Sequence, residues 1–190
     1  MSVVKSRRES LINSLEDNSI AIFYSSKSPI KSGDERYPFS PNRNYLYFTN
    51  LAIEHSFLVL YKTDDEIFEK LFIERNDPVL ARWIGEKLSK EECSEKSDIN
   101  IENINYIDDF YSFLGNTLSK YYIDCVYLYL KNVDWENSAT EKQLAKEITK
   151  DFPYIKIKDI SKIVNNLRVI KDDTEIENIK KAIAITKEGI

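Results

Sequence analysis

Strand-sized and helix-sized patterns alternate along the chain after Ile104, and no other feature of the sequence restricts the fold as strongly. Short apolar runs indicate buried strands, whereas apolar residues spaced three and four apart indicate helices. Alternation of the two favours an α/β domain in which some strands pair in parallel. The strand candidates before Ile104 follow one another closely, so we expect them to pair as antiparallel neighbours.

These patterns predict an α/β fold in which a mixed sheet of about six strands carries helices on its faces. A length of 190 residues suits one domain and the start of another. The strand candidates are residues 19–24, 45–49, 56–61, 70–74, 104–107, 123–130 and 154–157. The predicted helices cover residues 6–15, 78–86, 89–97, 108–121, 138–150, 160–167 and 174 onwards.

Several of these helices begin at a recognisable capping sequence. Asp77 and Pro78 form one kind, an N-cap acid followed by a proline in the first turn. The other kind is the capping box, in which a Ser or Thr and a Glu three residues later each bind the other's backbone amide. The predicted boxes pair Ser6 with Glu9, Ser138 with Glu141, and Thr174 with Glu177.

The last predicted helix carries an apolar face for which the sequence offers no obvious partner. Ile176, Ile179 and Ile183 recur there at helical spacing. We therefore expect a domain boundary near residue 171. Residues 1–170 are predicted to form an N-terminal domain, and residues 171–190 to begin a further domain.

The segment SSKSPIKSGDERYPFSPN, residues 25–42, is predicted to be a long ordered loop because it contains Gly33 and three prolines. Long loops inside compact domains are often functional. We expect Gly33 to adopt a backbone conformation that is costly for other residues, and Asp34 to order the loop by bonding its own backbone. Pro38 is expected to help anchor the loop on the sheet.

Composition and charge limit which partners the chain is expected to bind and in which cellular compartment it is expected to lie. The net charge of −5 gives no electrostatic reason to expect a nucleic-acid partner. No apolar run is long enough for a membrane-spanning helix, and the N-terminus is too polar for a signal peptide. Cys93 and Cys125 do not have a metal-binding or redox spacing. These features favour a reducing cytoplasm.

The sequence offers few residues for catalysis. His55 is the only histidine, and we expect it at a strand edge near solvent. Cys93 lies in the charged run KEECSEK and is predicted to be exposed, whereas Cys125 alternates with apolar strand residues and is predicted to be buried. A catalytic cysteine would need a base within reach. No phosphate-binding loop, dinucleotide fingerprint or serine elbow is present.

Three blocks of sequence resemble the N-terminal domain shared by aminopeptidase P, prolidase and creatinase. The first is SGDERYPFSPNRNYLYFT, residues 32–49, and the second is RNDPVLARWIGEKLS, residues 75–89. The third, LRVIKDDTEIENIKKAIAIT, resembles the segment that joins this domain to the catalytic domain. Asn50 stands where the family usually has Gly, and Ile53-Glu54 replaces a common Glu-Pro. In the first block the matching residues are Gly33, Asp34, Tyr37, Pro38, Phe39, Asn42, Tyr45, Tyr47, Phe48 and Thr49.

The resemblance implies that catalysis belongs to a following domain with the pita-bread fold. That domain would bind two divalent metals, usually manganese, through two Asp, one His and two Glu. No such ligand motif lies in residues 1–190, so the resemblance implies no catalytic residue, metal or cofactor in this chain. The whole protein is expected to be a cytoplasmic, oligomeric Xaa-Pro aminopeptidase acting on peptides with proline in second position. Prolidase is the near alternative, and a free-standing interaction module without peptidase activity is the other.

The resemblance also implies which aromatic residues lie near the substrate. The family's tryptophan in the block that contains Trp83 is expected to project towards an active site, often that of a neighbouring subunit. Packing within its own domain is the alternative for Trp83, since large aromatic residues are usually buried. Tyr37 and Phe39 are the other candidates for substrate access or an interface, whereas Tyr45, Tyr47 and Phe48 are expected mainly in the core.

Overall fold

The computed structural model describes residues 2–63, 66–131 and 140–189. The predicted N-cap Ser138 lies outside these residues. The described helices are α1 Val3–Asn13, α2 Arg43–Thr49, α3 Pro78–Ile84, α4 Lys90–Ser97, α5 Phe110–Lys120, α6 Thr140–Asp151, α7 Ser161–Val169 and α8 Asp173–Glu188. The strands are β1 Ser19–Tyr24, β2 Ile30–Ser32, β3 Glu35–Arg36, β4 Phe57–Lys62, β5 Ile67–Ile73, β6 Ile104–Tyr106, β7 Cys125–Leu128 and β8 Lys156–Asp159.

Six strands form one mixed sheet in the order β6-β5-β4-β1-β7-β8, which confirms the predicted fold class. The neighbouring strands β4 and β5 pair antiparallel, as expected, and β1 also pairs antiparallel with β4 although residues 25–56 lie between them. The later strands β6, β7 and β8 each pair in parallel. Parallel pairing needs a crossover of a dozen or so residues, and the helices between these strands provide it.

Alternate residues of the central strands supply two separate hydrophobic cores, one on each face of the sheet. Ala21, Leu58 and Leu71 belong to the face covered by α1, α2, α4 and α7. Ile22 and Val59 belong to the opposite face, covered by α5 and α6. The domain therefore has three layers, with helices on both sides of the sheet.

Residues 43–49 form a helix, so the predicted strand over residues 45–49 is wrong. The Asn42 side chain caps this helix by accepting hydrogen bonds from the amides of Asn44 and Tyr45. Tyr45 and Phe48 are fully buried because the helical spacing turns both towards the sheet. Asn50 then ends the helix in the left-handed conformation with φ 55°, a position that Gly or Asn can occupy.

Cys93 is fully buried, contrary to the exposure predicted from its charged neighbours. It lies on α4, where Cys93 and Ser97 share the buried face while the charged residues occupy the remaining faces. Cys125 is buried in β7, and both cysteines are free thiols. Burial raises the pKa of Cys93 to about 11, so this thiol is a poor nucleophile.

Two of the predicted capping boxes are not formed. Helix α1 starts at Val3, where Ser2 accepts from the amide of Lys5, rather than at Ser6. Helix α8 starts at Asp173, and its capping box joins Asp172 with Glu175 instead of Thr174 with Glu177. In both cases a competing polar residue precedes the predicted cap and takes its role.

Arg8 joins several elements from a fully buried position on α1. Its Nε donates to the carboxylate of Glu69 at 2.7 Å. Its two terminal nitrogens donate to the carbonyl oxygens of Phe48, Ser97 and Asp98 at 2.9, 2.8 and 3.1 Å. One guanidinium thereby connects α1 with the ends of α2 and α4 and with β5.

Candidate functional site

Helix α3 carries Trp83 at the surface. Asp77 caps the helix by accepting from the amides of Val79 and Leu80, and Pro78 occupies the first turn, as predicted. The Trp83 side chain is 84% exposed, and Val79 and Leu80 beside it are exposed as well. A contiguous exposed apolar group of this kind is typical of a contact surface.

Residues 75–87 leave the sheet after β5 and return at Leu88, which packs on the core; we call them the α3 excursion. Glu74 lies at its base. One carboxylate oxygen of Glu74 accepts from Nζ of Lys87 at 2.5 Å, and the other lies 2.9 Å from Nδ1 of His55. Burial alone would raise the pKa of Glu74, but these two partners together lower it below its ordinary value.

A second set of contacts joins the two ends of the same excursion. The Arg75 guanidinium lies 3.7 Å from the centre of the Tyr106 ring, and Nζ of Lys90 lies 4.5 Å from it. Arg75 also pairs with Asp108 at 3.1 Å. Tyr106 therefore binds a cation from before α3 and a cation from after it.

The loop predicted over residues 25–42 contains a small hairpin formed by β2 and β3. Gly33 lies at its turn with φ +57°, in the left-handed region that glycine occupies without strain. Asp34 follows it in the turn, and its side chain makes no hydrogen bond to any residue that the structure describes. Tyr37 is 51% exposed, Phe39 is half-buried, and Pro38 is exposed.

The base of this loop reaches the same part of the molecule as the α3 excursion. The His55 amide donates to the Ser26 carbonyl at 2.9 Å, and Ser28 donates a hydrogen bond to the Glu54 carboxylate. Across the described parts of the chain, however, Trp83 makes no ring contact with Tyr37 or Phe39. Within one chain the structure does not bring the three aromatic candidates together.

Helix α8 contains no buried residue. Ile176, Ile179 and Ile183 are 39%, 49% and 61% exposed, so the apolar face predicted from the sequence is uncovered. The start of the helix is tied to α1, because Arg7 lies 2.5 Å from the carboxylate of Asp172 and 3.4 Å from that of Glu175. The helix is thus fixed at one end while its apolar face lies open.

Residues 2–63, 66–131 and 140–189 contain no group of three or more His, Cys, Asp or Glu side chains placed to hold a metal ion. In the same three ranges, no helix is long and apolar enough to cross a bilayer. The exposed features described so far are separate: a Trp on a tethered helix, a hairpin, and the open apolar face of α8.

Comparison with known proteins identifies the family to which this chain belongs. Residues 4–127 match the model of the aminopeptidase P N-terminal domain. The chain is a member of that family. It is 27% identical over 187 residues to the Xaa-Pro aminopeptidase of Escherichia coli K12 and 24% identical over 183 residues to that of Haemophilus influenzae.

The matches cover nearly all of this chain but less than half of the relatives. They include 95% and 96% of the chain against 41% and 40% of those two enzymes. A solved structure assigned as an aminopeptidase P from Bacillus anthracis superposes with a TM-score of 0.91 at 35% identity, over 98% of this chain and 44% of that one. The fold of E. coli aminopeptidase P also matches, with a TM-score of 0.78 over 92% of this chain and 40% of that one.

The residues at the base of the α3 excursion could not be selected from the sequence. Glu74 is the last residue of a predicted strand, and Lys87 is one lysine among many. Their proximity depends on how far α3 departs from the sheet before the chain returns. The single histidine is the one residue in the sequence that could have drawn attention to this place. The β4–β5 register, in which Phe57 pairs with Phe72, sets His55 opposite Glu74 when it is continued past the ends of the strands.

Proposed function

We propose that this chain is the non-catalytic N-terminal domain of a metal-dependent Xaa-Pro aminopeptidase, in which it shapes access to the active site and supplies oligomer contacts. The observation that carries the proposal is the position of Trp83. In a chain of this family, its large aromatic side chain projects from a tethered surface helix instead of packing in its own core.

The proposed division of the protein puts its chemistry in another domain. Residues 1–170 form the N-terminal domain, and residues 171–190 begin the catalytic one, which by resemblance would hold two divalent metals, usually manganese, that could activate the attacking water. The uncovered isoleucines of α8 support this boundary, because an apolar helix face is stabilised by burial against another element. A cytoplasmic location is supported by the two free thiols.

A dedicated substrate site suits the bond that such an enzyme cleaves. A peptide bond that precedes proline has no N–H to offer, and its cis and trans forms exchange slowly. Recognition must therefore use shape and apolar contact around the proline ring and the residue before it. An exposed Trp at the rim supplies a rigid apolar surface of that kind.

Substitution of Trp83 tests the proposal in the full-length protein. We expect Trp83→Ala to lower kcat/KM for an Xaa-Pro peptide by about tenfold, equivalent to about 1.4 kcal/mol. The melting temperature should hardly change, because the side chain is exposed. Tyr122→Ala is the matched control, since Tyr122 is 78% exposed and precedes β7, at the end of the sheet opposite the one from which β5 leads into α3. A large loss of stability with normal kinetics would refute the proposed role.

Prolidase, which acts on dipeptides, is the alternative within the same class. Turnover of a tripeptide with proline in second position separates the two, since a prolidase would leave it uncleaved. The alternative from another class is a free-standing binding module. Reading the gene beyond codon 190 distinguishes the binding module from the enzyme. Codons for two Asp, one His and two Glu in the family's order would support the enzyme, and their absence would support the module.

A further inference from the structure

Helix α3 receives little support from its exposed apolar side chains. It has seven residues, and isolated helices shorter than about 12 residues are only marginally stable in water. Its Val79, Leu80 and Trp83 side chains are exposed, so none of these three holds the helix against the domain. The contacts at the ends of the α3 excursion therefore contribute to the position of Trp83.

Glu74 makes the contact that closes those ends. It follows directly after β5, whose ladder with β4 fixes its backbone, and its carboxylate holds Lys87 at 2.5 Å. Lys87 in turn donates its backbone amide to the Asn76 side chain at 3.4 Å. The Glu74 side chain is 26% exposed and that of Lys87 is 33% exposed, so this ion pair is better shielded than the Arg75–Asp108 pair nearby.

The same carboxylate also reaches the loop that carries Tyr37 and Phe39. Its second oxygen contacts Nδ1 of His55, whose amide binds the Ser26 carbonyl. His55 and Ser26 both have positive φ angles, 47° and 84°, which residues other than glycine adopt only when their surroundings impose them. Such residues often cluster at functional sites.

We propose that Glu74 is a positioning residue for Trp83: it holds the two ends of the α3 excursion together and joins them, through His55, to the loop of residues 25–42. Loss of the Glu74–Lys87 pair would leave the helix formed at its N-cap and tied at its base only by the more exposed contacts of Arg75 and Lys90, so that it swings more widely. The effect of Glu74 on turnover rests on the proposed function, whereas its role in holding the α3 excursion does not.

The two tryptophans of the chain, Trp83 and Trp135, allow this role to be measured directly. A Trp135→Phe background leaves Trp83 as the sole reporter, and time-resolved fluorescence anisotropy then separates its local swinging from overall tumbling. Glu74→Gln and Lys87→Met should each increase the amplitude of the fast component by about twofold. Lys87→Arg keeps the ion pair and should match the parent.

Limited trypsin cleavage after Arg82, a site present in every variant, gives a second readout. Glu74→Gln and Lys87→Met should accelerate this cleavage by about tenfold while the melting temperature stays near that of the parent. Lys62→Met is the matched control, since it breaks an ion pair of similar length, the 2.7 Å contact with Asp17, at the opposite end of β4 from the Phe57–Phe72 pair next to Glu74. The proposal is overturned if both disruptive variants match Lys62→Met in anisotropy and cleavage.

Kinetics of the full-length protein distinguish failure of this inference from failure of the proposed function. Glu74→Gln should raise KM for an Xaa-Pro peptide by about threefold with little change in kcat, because it affects the placement of a contact and not the reacting groups. If Trp83→Ala leaves turnover unchanged, the access role of Trp83 fails while the anisotropy result still stands. If Trp83→Ala weakens turnover but Glu74→Gln changes neither KM nor anisotropy, positioning by Glu74 fails.

Discussion

A single side chain, that of Arg8, supports the packing of three helices against the sheet. Its substitution by Met would leave the Glu69 carboxylate and three carbonyl oxygens without their donor in the interior. Removing one partner of a buried ionic network costs about 3–5 kcal/mol. We expect Arg8→Met to lower the free energy of unfolding by that amount, measured by urea denaturation followed by circular dichroism.

The control for Arg8 is Lys31→Met, which breaks an exposed ion pair and should change the stability by no more than about 0.5 kcal/mol. Arg8→Lys should fall between the two, since an ammonium group retains the charge but cannot bind all four oxygens in the planar geometry of a guanidinium. Equal stability of Arg8→Met and Lys31→Met would contradict the role assigned to Arg8.

Glu141, at the start of α6, is a buried carboxyl group whose burial raises its pKa. A carboxyl with a raised folded-state pKa destabilises the fold once the pH is above that pKa, because ionisation is easier in the unfolded chain. We expect Glu141→Gln, which mimics the protonated form, to raise the melting temperature at pH 7. The gain should shrink as the pH falls towards 4, where the parent binds the proton. A constant gain at both pH values would show that charge is not the cause.

At the scale of elements, the β2–β3 hairpin depends on the backbone of Gly33. A β-branched residue at φ +57° is strained, although the space around a new Cβ is open. We expect Gly33→Val to cost about 1–3 kcal/mol of stability by urea denaturation. Gly33→Asn is the matched variant, because Asn tolerates this conformation, and it should cost less. An unchanged urea midpoint for Gly33→Val would show that Gly33 is not conformationally required.

The elements predicted correctly have local causes, whereas those predicted wrongly depend at least in part on packing against the sheet. Strand β1 and the α3 start at Asp77-Pro78 follow from an apolar run and a capping pair within a few residues. Helix α2 was predicted as a strand because its tyrosines alternate and aromatic residues are common in strands. Asn42 and the sheet beneath it override that preference. The burial of Cys93 likewise depends on which face α4 turns to the core.

The sequence predicts less of the candidate site than of the fold. The resemblance points to Trp83, but the sequence does not decide between projection from the domain and packing within it, whereas the structure exposes the side chain. Glu74 and Lys87 were not identified, because no sequence pattern reports the path by which the chain returns from an excursion to the sheet. Contacts of this kind depend on tertiary structure alone.

At the scale of the whole molecule, we expect the 190-residue chain to fold but to hydrolyse no peptide. Both faces of the sheet carry a helix layer, whereas the resemblance assigns the metal ligands to another domain. The assay is hydrolysis of an Xaa-Pro peptide with added manganese, with circular dichroism to establish folding. Turnover that exceeds a metal-only blank and survives repurification would contradict the assignment of catalysis to another domain.

The two outer strands of the sheet also bear on how this domain behaves when concentrated. An uncovered strand edge offers unpaired amides and carbonyls to any other chain, and so can seed fibrils. Here β6 has only three residues, and β8 reads Lys-Ile-Lys-Asp, so one edge is very short and the other is charged. A second molecule would have to desolvate those lysines in order to add a strand. The domain is therefore protected at both ends of its sheet against edge-to-edge aggregation.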